Sequence, residues 1–177
     1  MRLQAALIGS AVVLAGCGVD SSSFHRASRA EVKHLQANSA QAVYFAGMAF
    51  GGLPVTDVEG EGRDYELVAY GTCTSSGFDS GCAPPIEISE SPFKPAHWRL
   101  AVGCRRLPSL RGVPTLRHDA FVLVTGREIV EIYARSPGED RRVARALRRV
   151  DGTPTPEQLP KPPAAWRVFV EQACPSR

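Results

Sequence analysis

Two runs of strand-forming residues separated by a tight turn constrain the fold most. The segment "DAFVLVTGREIVEIYA" places the runs 120–124 and 128–134 on either side of "TGR". Apolar, β-branched residues flanking a glycine-containing turn are typical of a β-hairpin. The first run is almost wholly apolar, which predicts a central strand, whereas Glu128 and Glu131 make the second less deeply buried. Because strands and helices do not alternate regularly, we expect an α+β fold with a small antiparallel sheet, two or three helices and disulfide staples.

Three segments have the features of helices. Ser28 and Glu31 fit a capping box, so we expect a short helix over 29–38. The pattern of the last segment, "AAWRVFVEQAC", does not decide between helix and strand, and we favour a helix that starts at Pro162-Pro163.

The segment "SPGEDRRVARALRRV" carries the strongest helix signals. Ser136 suits the N-cap and Pro137 the first helical position. Val143, Leu147 and Val150 would share one face, and we expect Gly152 to end the helix.

Shorter runs predict further strands near 42–47, 65–71 and 86–90. Prolines are frequent between Ser91 and Pro114, so we expect little regular structure there except around "WRLAVGC". No internal repeat or second domain is evident.

The chain opens with an apolar stretch that ends at a cysteine. Arg2 is the only charged residue before Asp20. The apolar part is shorter than the roughly 20 residues that a membrane-spanning helix needs. Its layout of a positive residue, an apolar run and small residues predicts a signal peptide over 1–16.

Leu14-Ala15-Gly16-Cys17 resembles the lipobox of bacterial lipoproteins at all four positions. The resemblance implies cleavage before Cys17, a diacylglycerol on its sulfur and an acyl group such as palmitate on the new amino terminus. Two or more chains hold a protein stably on a membrane. We therefore expect an exported protein, lipid-anchored to a bacterial membrane and facing away from the cytoplasm.

The rest of the chain divides simply. Residues 17–27 would form the lipidated cysteine and a flexible tether, and 28–177 a single globular domain. Without 1–16 the chain has 161 residues with 20 basic and 18 acidic side chains, a formal charge of +2. This balance argues against a nucleic-acid partner, which would need a larger positive excess.

Four further cysteines predict two disulfides, because the compartment outside the cytoplasm is oxidising. Three pairings are possible. We favour Cys73–Cys82, which closes a short Gly- and Ser-rich loop, and this leaves Cys104–Cys174. A metal site built from these cysteines with His97 or His118 is the competing interpretation, but the spacing of the cysteines does not favour it. We expect neither a metal nor a cofactor.

Signals for catalysis are weak. Gly-x-Ser-x-Gly, His-Glu-x-x-His and phosphate-binding glycine loops are missing. His118-Asp119 is the most interesting pair, since a carboxylate beside an imidazole can orient it. An exposed turn before the strand at 120–124 explains the pair as well, so we assign no catalytic residues. Glu59, Glu61 and Asp64 lie on one loop, which we interpret as solvated.

Arginines crowd two regions. One set is placed on the helix after the hairpin and could contact anionic lipid, a cell-wall polymer or an envelope protein; an ordinary solvated face is the alternative. Its members are Arg141, Arg142, Arg145, Arg148 and Arg149. The other set, around a proline-rich loop, comprises Arg105, Arg106, Arg111 and Arg117.

Residues of about 43–150 are similar to small uncharacterised secreted or lipid-anchored actinobacterial proteins. The segments that carry the resemblance are "YGTC…GCAPPIEI", "RGVPT" and "VLVTGREIVEIYA". It supports the Cys73–Cys82 loop and implies no activity. The sequence thus favours a non-catalytic envelope lipoprotein that binds a ligand or partner. The alternatives are an envelope hydrolase acting on polymer or peptide, expected to show a polar cleft, and a periplasmic carrier of small ligands, expected to show a large apolar cavity.

Overall fold

The computed structural model describes residues 25–60, 65–72, 83–94 and 104–174. Three helices lie in this part of the chain: α1 (Arg29–Asn38), α2 (Pro137–Ala146) and α3 (Ala164–Ala173). None of them is long and apolar enough to span a membrane. The strands are β1 (Tyr44–Phe45), β2 (Ala49–Phe50), β3 (Leu53–Glu59), β4 (Glu66–Tyr70), β5 (Ile86–Pro92), β6 (Arg105–Leu110), β7 (Val113–Arg117), β8 (Phe121–Thr125), β9 (Glu128–Ala134) and β10 (Arg148–Arg149).

Eight of these strands form one antiparallel sheet in the order β2-β3-β4-β5-β9-β8-β7-β6. Two meanders, β2 to β5 and β6 to β9, meet where β5 pairs with β9. β1 and β10 form a separate two-stranded ladder. The α+β class and the hairpin, now β8–β9, are confirmed.

The sheet separates two apolar clusters, and β8 contributes to both. Phe121 and Leu123 point to the cluster beneath α1 and α2, while Val122 and Val124 point to the cluster beneath α3. All five residues of β8 are buried. A strand covered on both faces has a continuous apolar sequence rather than an alternating one.

Helix α1 begins as its sequence predicts. The Ser28 hydroxyl accepts the Glu31 N–H, and the Glu31 carboxylate accepts the Ser28 N–H at 2.6 Å. Together with the hydroxyl and His25, this backbone hydrogen bond lowers the pKa of Glu31 to about 2. The helix buries Val32 and Leu35 against the sheet.

Helix α2 ends earlier than expected. It stops at Ala146 rather than near Gly152, because Leu147 adopts an extended conformation (φ −54°, ψ 133°). Arg148 and Arg149 then pair with Phe45 and Tyr44 as β10. Leu147 and Val150 are still buried, but beside a strand ladder instead of on a helix face. Pairing with a segment distant in sequence overrides the local helix propensity.

The expectation of little regular structure between Ser91 and Pro114 is also wrong. β6 and the start of β7 occupy the end of this region. Pro108 is tolerated because β6 is an edge strand, where a missing N–H costs little, and the register shifts between Leu107 and Leu110. β3 was not predicted either.

The Cys104–Cys174 disulfide is present, with its Cα atoms 5.1 Å apart. It ties the end of α3 to the start of β6. Next to it, Phe93 contacts Trp166 and Phe169 with ring centroids 4.5 and 5.9 Å away. Cys73 and Cys82 lie outside the described residues, as does Cys17.

We expect the paired substitution Cys104→Ala, Cys174→Ala to lower the free energy of unfolding by up to roughly 4 kcal/mol, since a crosslink over a long loop restricts the unfolded chain. Chemical denaturation would measure it. Hydrogen exchange should accelerate first in α3, around Val170. An unchanged denaturation midpoint would contradict a stabilising role of this disulfide.

Candidate functional site

Residues 42–46 cross one face of the sheet, and side chains accept hydrogen bonds from four of their five backbone amides. Gln36 comes from α1, and the other three acceptors come from strands of the sheet. The donor–acceptor pairs are Ala42 N–H with Glu128 Oε1 (3.2 Å), Val43 N–H with Gln36 Oε1 (2.8 Å), Tyr44 N–H with Glu90 Oε1 (2.7 Å) and Ala46 N–H with the Tyr70 hydroxyl (2.7 Å).

Three glutamates occupy inward-facing strand positions below this segment. Glu66 and Glu90 are direct partners across β4 and β5. Glu128 lies two residues from Val130, the partner of Glu90, and therefore on the same face. Glu66 and Glu90 are almost fully buried, with 5% and 2% exposure.

Burial controls the protonation of this carboxyl cluster, Glu66, Glu90 and Glu128. It raises the pKa of Glu90 well above its usual value, and the nearby carboxylates of Glu128 and Glu66 raise it further. It also raises the pKa of Glu128 to about 7. The amide hydrogen bonds from Tyr44 and Ala42 oppose these shifts without cancelling them. The second oxygen of Glu90 and that of Glu128 have no hydrogen-bond partner in the described residues. A neutral carboxyl suits both positions.

Outside the β1–β10 ladder lies a pocket of about 270 Å³, here called the basic pocket. Its basic residues come from the first turns of α1 and from β10, and no acidic residue lines it. It is formed by Arg29, Val32, Lys33, Phe45, Met48, Arg148, Arg149, Val150 and Gly152.

The guanidinium of Arg148 lies between the Phe45 ring and Gly47 in the basic pocket. Its guanidinium carbon lies 5.3 Å from the centre of the Phe45 ring, a cation–π distance. A Cβ atom on Gly47 would come within 1.9 Å of Arg148 Nη2, so glycine is needed for this approach. Gly47 also has φ +99°, which disfavours other residues.

Arg149 connects the basic pocket to the carboxyl cluster. Its Nη2 donates to Asp151 Oδ2 at 2.6 Å. Its charge also lowers the pKa of Glu128 and of Tyr44, although burial still raises both. The Arg149 guanidinium therefore interacts both with the Asp151 carboxylate at the surface and with Glu128 of the carboxyl cluster.

A second groove, of about 460 Å³, lies between the β6–β7 hairpin and α3. Arg106, Lys161 and Arg167 line it together with Glu171, and Arg106 reaches Glu171 at 3.7 Å. A third pocket, of about 140 Å³, lies between α1 and the end of β3.

The predicted arginine set is divided by the fold. Arg141, Arg142 and Arg145 are exposed on α2, where Arg142 is 3.7 Å from Glu139. Arg148 and Arg149 belong to β10 and line the basic pocket.

The other arginine set is largely structural. Arg111 donates to the carbonyls of Leu147 (2.8 Å), Pro156 (2.7 Å) and Glu157 (3.3 Å). Arg117 pairs with the buried Asp140 of α2. These contacts hold the β6–β7 turn and α2 in place.

His118 and Asp119 lie in the β7–β8 turn, with Nδ1 3.3 Å from Oδ2. Asp119 is 85% exposed, and neither residue lines the three pockets above. His97, Glu61 and Asp64 lie outside the described residues. Among the residues that the structure does describe, no cluster of His, Cys, Asp and Glu side chains could hold a metal ion. Glu59 is exposed beside Tyr65.

The sequence did not lead us to predict the carboxyl cluster, nor the contribution of Arg29 and Lys33 to the basic pocket. A signal for the cluster exists, because each glutamate continues an inward apolar alternation. These alternations are Glu66-Val68-Tyr70, Ile86-Ile88-Glu90 and Glu128-Val130-Ile132. Arg29 and Lys33 are four residues apart on one helix face. Their proximity to β10 has no local signal.

The chain matches no protein-family model, and no curated protein or solved structure is significantly similar to it. The geometry of the described residues therefore carries the functional argument.

We expect Glu128→Gln to stabilise the protein at pH 8 and to leave it unchanged at pH 4.5. A carboxyl with a raised pKa contributes full stability below its unfolded value, and the contribution is lost as pH rises through about 7. The gain should be about 2 kcal/mol, allowing for partial solvent screening. Thermal denaturation at both pH values measures it. The exposed Glu157→Gln is the matched control and should show no such pH-dependent gain; equal behaviour of the two variants would refute the assignment.

We expect Tyr70→Phe to destabilise the fold by about 1–3 kcal/mol, because the Ala46 amide would lose its acceptor while staying buried. Tyr133→Phe, on an exposed side chain, is the control. Urea denaturation of both variants checks this, and similar midpoints would argue against a role of the Tyr70 hydroxyl.

Proposed function

We propose that this chain is a lipid-anchored protein of the bacterial cell envelope whose folded domain is a non-catalytic binding module at the membrane surface. One observation carries the proposal. The first helix after the tether supplies Arg29 and Lys33 to a pocket with four basic and no acidic lining residues. The side of the domain that follows the anchor is thus suited to anions.

The tether keeps this pocket close to a membrane. Arg29 is twelve residues from Cys17. A fully extended chain of that length reaches at most about 40 Å. A tether of this length allows the pocket to come within a Debye length of the bilayer, about 8–10 Å, where positive charge is attracted to an anionic surface.

The disulfide agrees with an exported location. Cys104–Cys174 is largely buried, and such bonds form and persist outside the reducing cytoplasm. His118 and Asp119, the pair that the hydrolase alternative would use, line none of the three pockets.

Lipidation at Cys17 can be tested directly. We expect the mature protein to begin at Cys17, to carry acyl mass on its amino-terminal peptide and to sediment with membranes. Cys17→Ala should abolish the acyl mass and the processing. The control is Cys104→Ala with Cys174→Ala, which removes two cysteines and should leave acylation intact. Unmodified mature protein recovered from the soluble fraction would refute the proposal.

A further inference from the structure

We propose that the basic pocket binds a glycerophosphate group, of the kind that forms the headgroup of anionic phospholipids. The inference rests on the proposed function for its source of ligand, and on the pocket itself for its chemistry. A phosphate would lie among Arg29, Lys33 and Arg148, and the glycerol carbons would lie on the apolar side chains between them.

Three of the four cations of the pocket are available to an anion. Among the described residues, Arg29, Lys33 and Arg148 form no ion pair. The neighbouring acids are already engaged. Asp151 binds Arg149 and accepts the Thr153 N–H at 2.8 Å, and Glu31 caps its own helix. Three positive groups around one cavity favour an anion with several acceptor oxygens, such as a phosphate.

Arg148 is preorganised for this role. Its guanidinium lies against the Phe45 ring at the pocket wall, in the space that Gly47 leaves free. A guanidinium offers paired N–H donors that match phosphate oxygens, and a fixed side chain loses less entropy on binding.

The size and lining of the pocket set the ligand class. A volume of about 270 Å³ accommodates a phosphate with a short polyol. Val32, Met48 and Val150 provide apolar contact, no acidic residue lines the pocket, and the Phe45 ring already faces Arg148. A zwitterionic headgroup such as choline phosphate would therefore be disfavoured, because the same cations would repel its positive end.

The test compares two variants with the same loss of charge. Lys33→Gln with Arg148→Gln alters the pocket, and Arg141→Gln with Arg145→Gln removes two exposed charges from α2. The full chain is reconstituted in lipid discs of phosphatidylcholine, with or without phosphatidylglycerol, and amide resonances of Phe45, Met48 and Gly152 are recorded. A second arm titrates the full chain in neutral detergent with sn-glycerol 1-phosphate and with choline phosphate.

We expect phosphatidylglycerol to shift these resonances. In the second arm, glycerol phosphate should bind more tightly than choline phosphate, and the pocket variant should weaken that binding on the order of 10-fold or more. The α2 variant should behave as the unmodified protein does. If glycerol phosphate binds but phosphatidylglycerol shifts no resonance, the site is assigned to a soluble ligand of the same chemistry. If phosphatidylglycerol shifts the resonances in the discs, the site is assigned to a lipid headgroup.

Equal weakening by both variants, or no response in either arm, would overturn the proposal in favour of diffuse surface charge or no site. If the pocket variant is unstable, the single substitution Lys33→Gln, on an exposed side chain of α1, provides the check: it must weaken the binding of glycerol phosphate, and Arg141→Gln must not. The detergent arm does not depend on lipidation, so a failure at Cys17 is distinguishable from a failure of the pocket.

Discussion

The hydrogen bonds from the backbone amides of residues 42–46 to buried and half-buried side chains are the interactions on which the rest of this structure depends. This segment lies over the sheet rather than in it, so its N–H groups need acceptors from below. An unpaired buried amide costs about as much as a lost hydrogen bond. Glu90, Glu128 and Tyr70 supply acceptors from three strands, and Gln36 supplies the fourth from α1.

This arrangement has an electrostatic cost that explains its pH dependence. Carboxylates are strong acceptors, but burying several together disfavours their charge. The pKa values of Glu90 and Glu128 rise accordingly. The same hydrogen bonds hold residues 42–46 in a position where β1 pairs with β10. The β1–β10 ladder forms one wall of the basic pocket. The carboxyl cluster and the basic pocket are therefore structurally linked, because Arg149 interacts electrostatically with Glu128 and also lines the pocket.

Sequence reasoning succeeded where the signals were local. The capping box of α1, the β8–β9 hairpin and the final helix each depend on residues within about two turns or one loop of each other. It failed where a distant partner decided the outcome. Helix α2 stops at Ala146 because β10 pairs with β1, about a hundred residues earlier in the chain. β6 was overlooked because prolines normally indicate irregular structure, yet an edge strand accepts them.

By itself the sequence determined the α+β class, the start of α1 and the hairpin, since these follow from short-range sterics and hydrogen bonding. It favoured the Cys104–Cys174 pair among three possible pairings. Only the tertiary structure decided which glutamates meet, and that Arg29 and Lys33 lie beside Arg148. The Ala42–Glu128 hydrogen bond spans 86 residues. Contacts of that separation depend on how whole strands align in the sheet, and local propensities carry no information about that alignment.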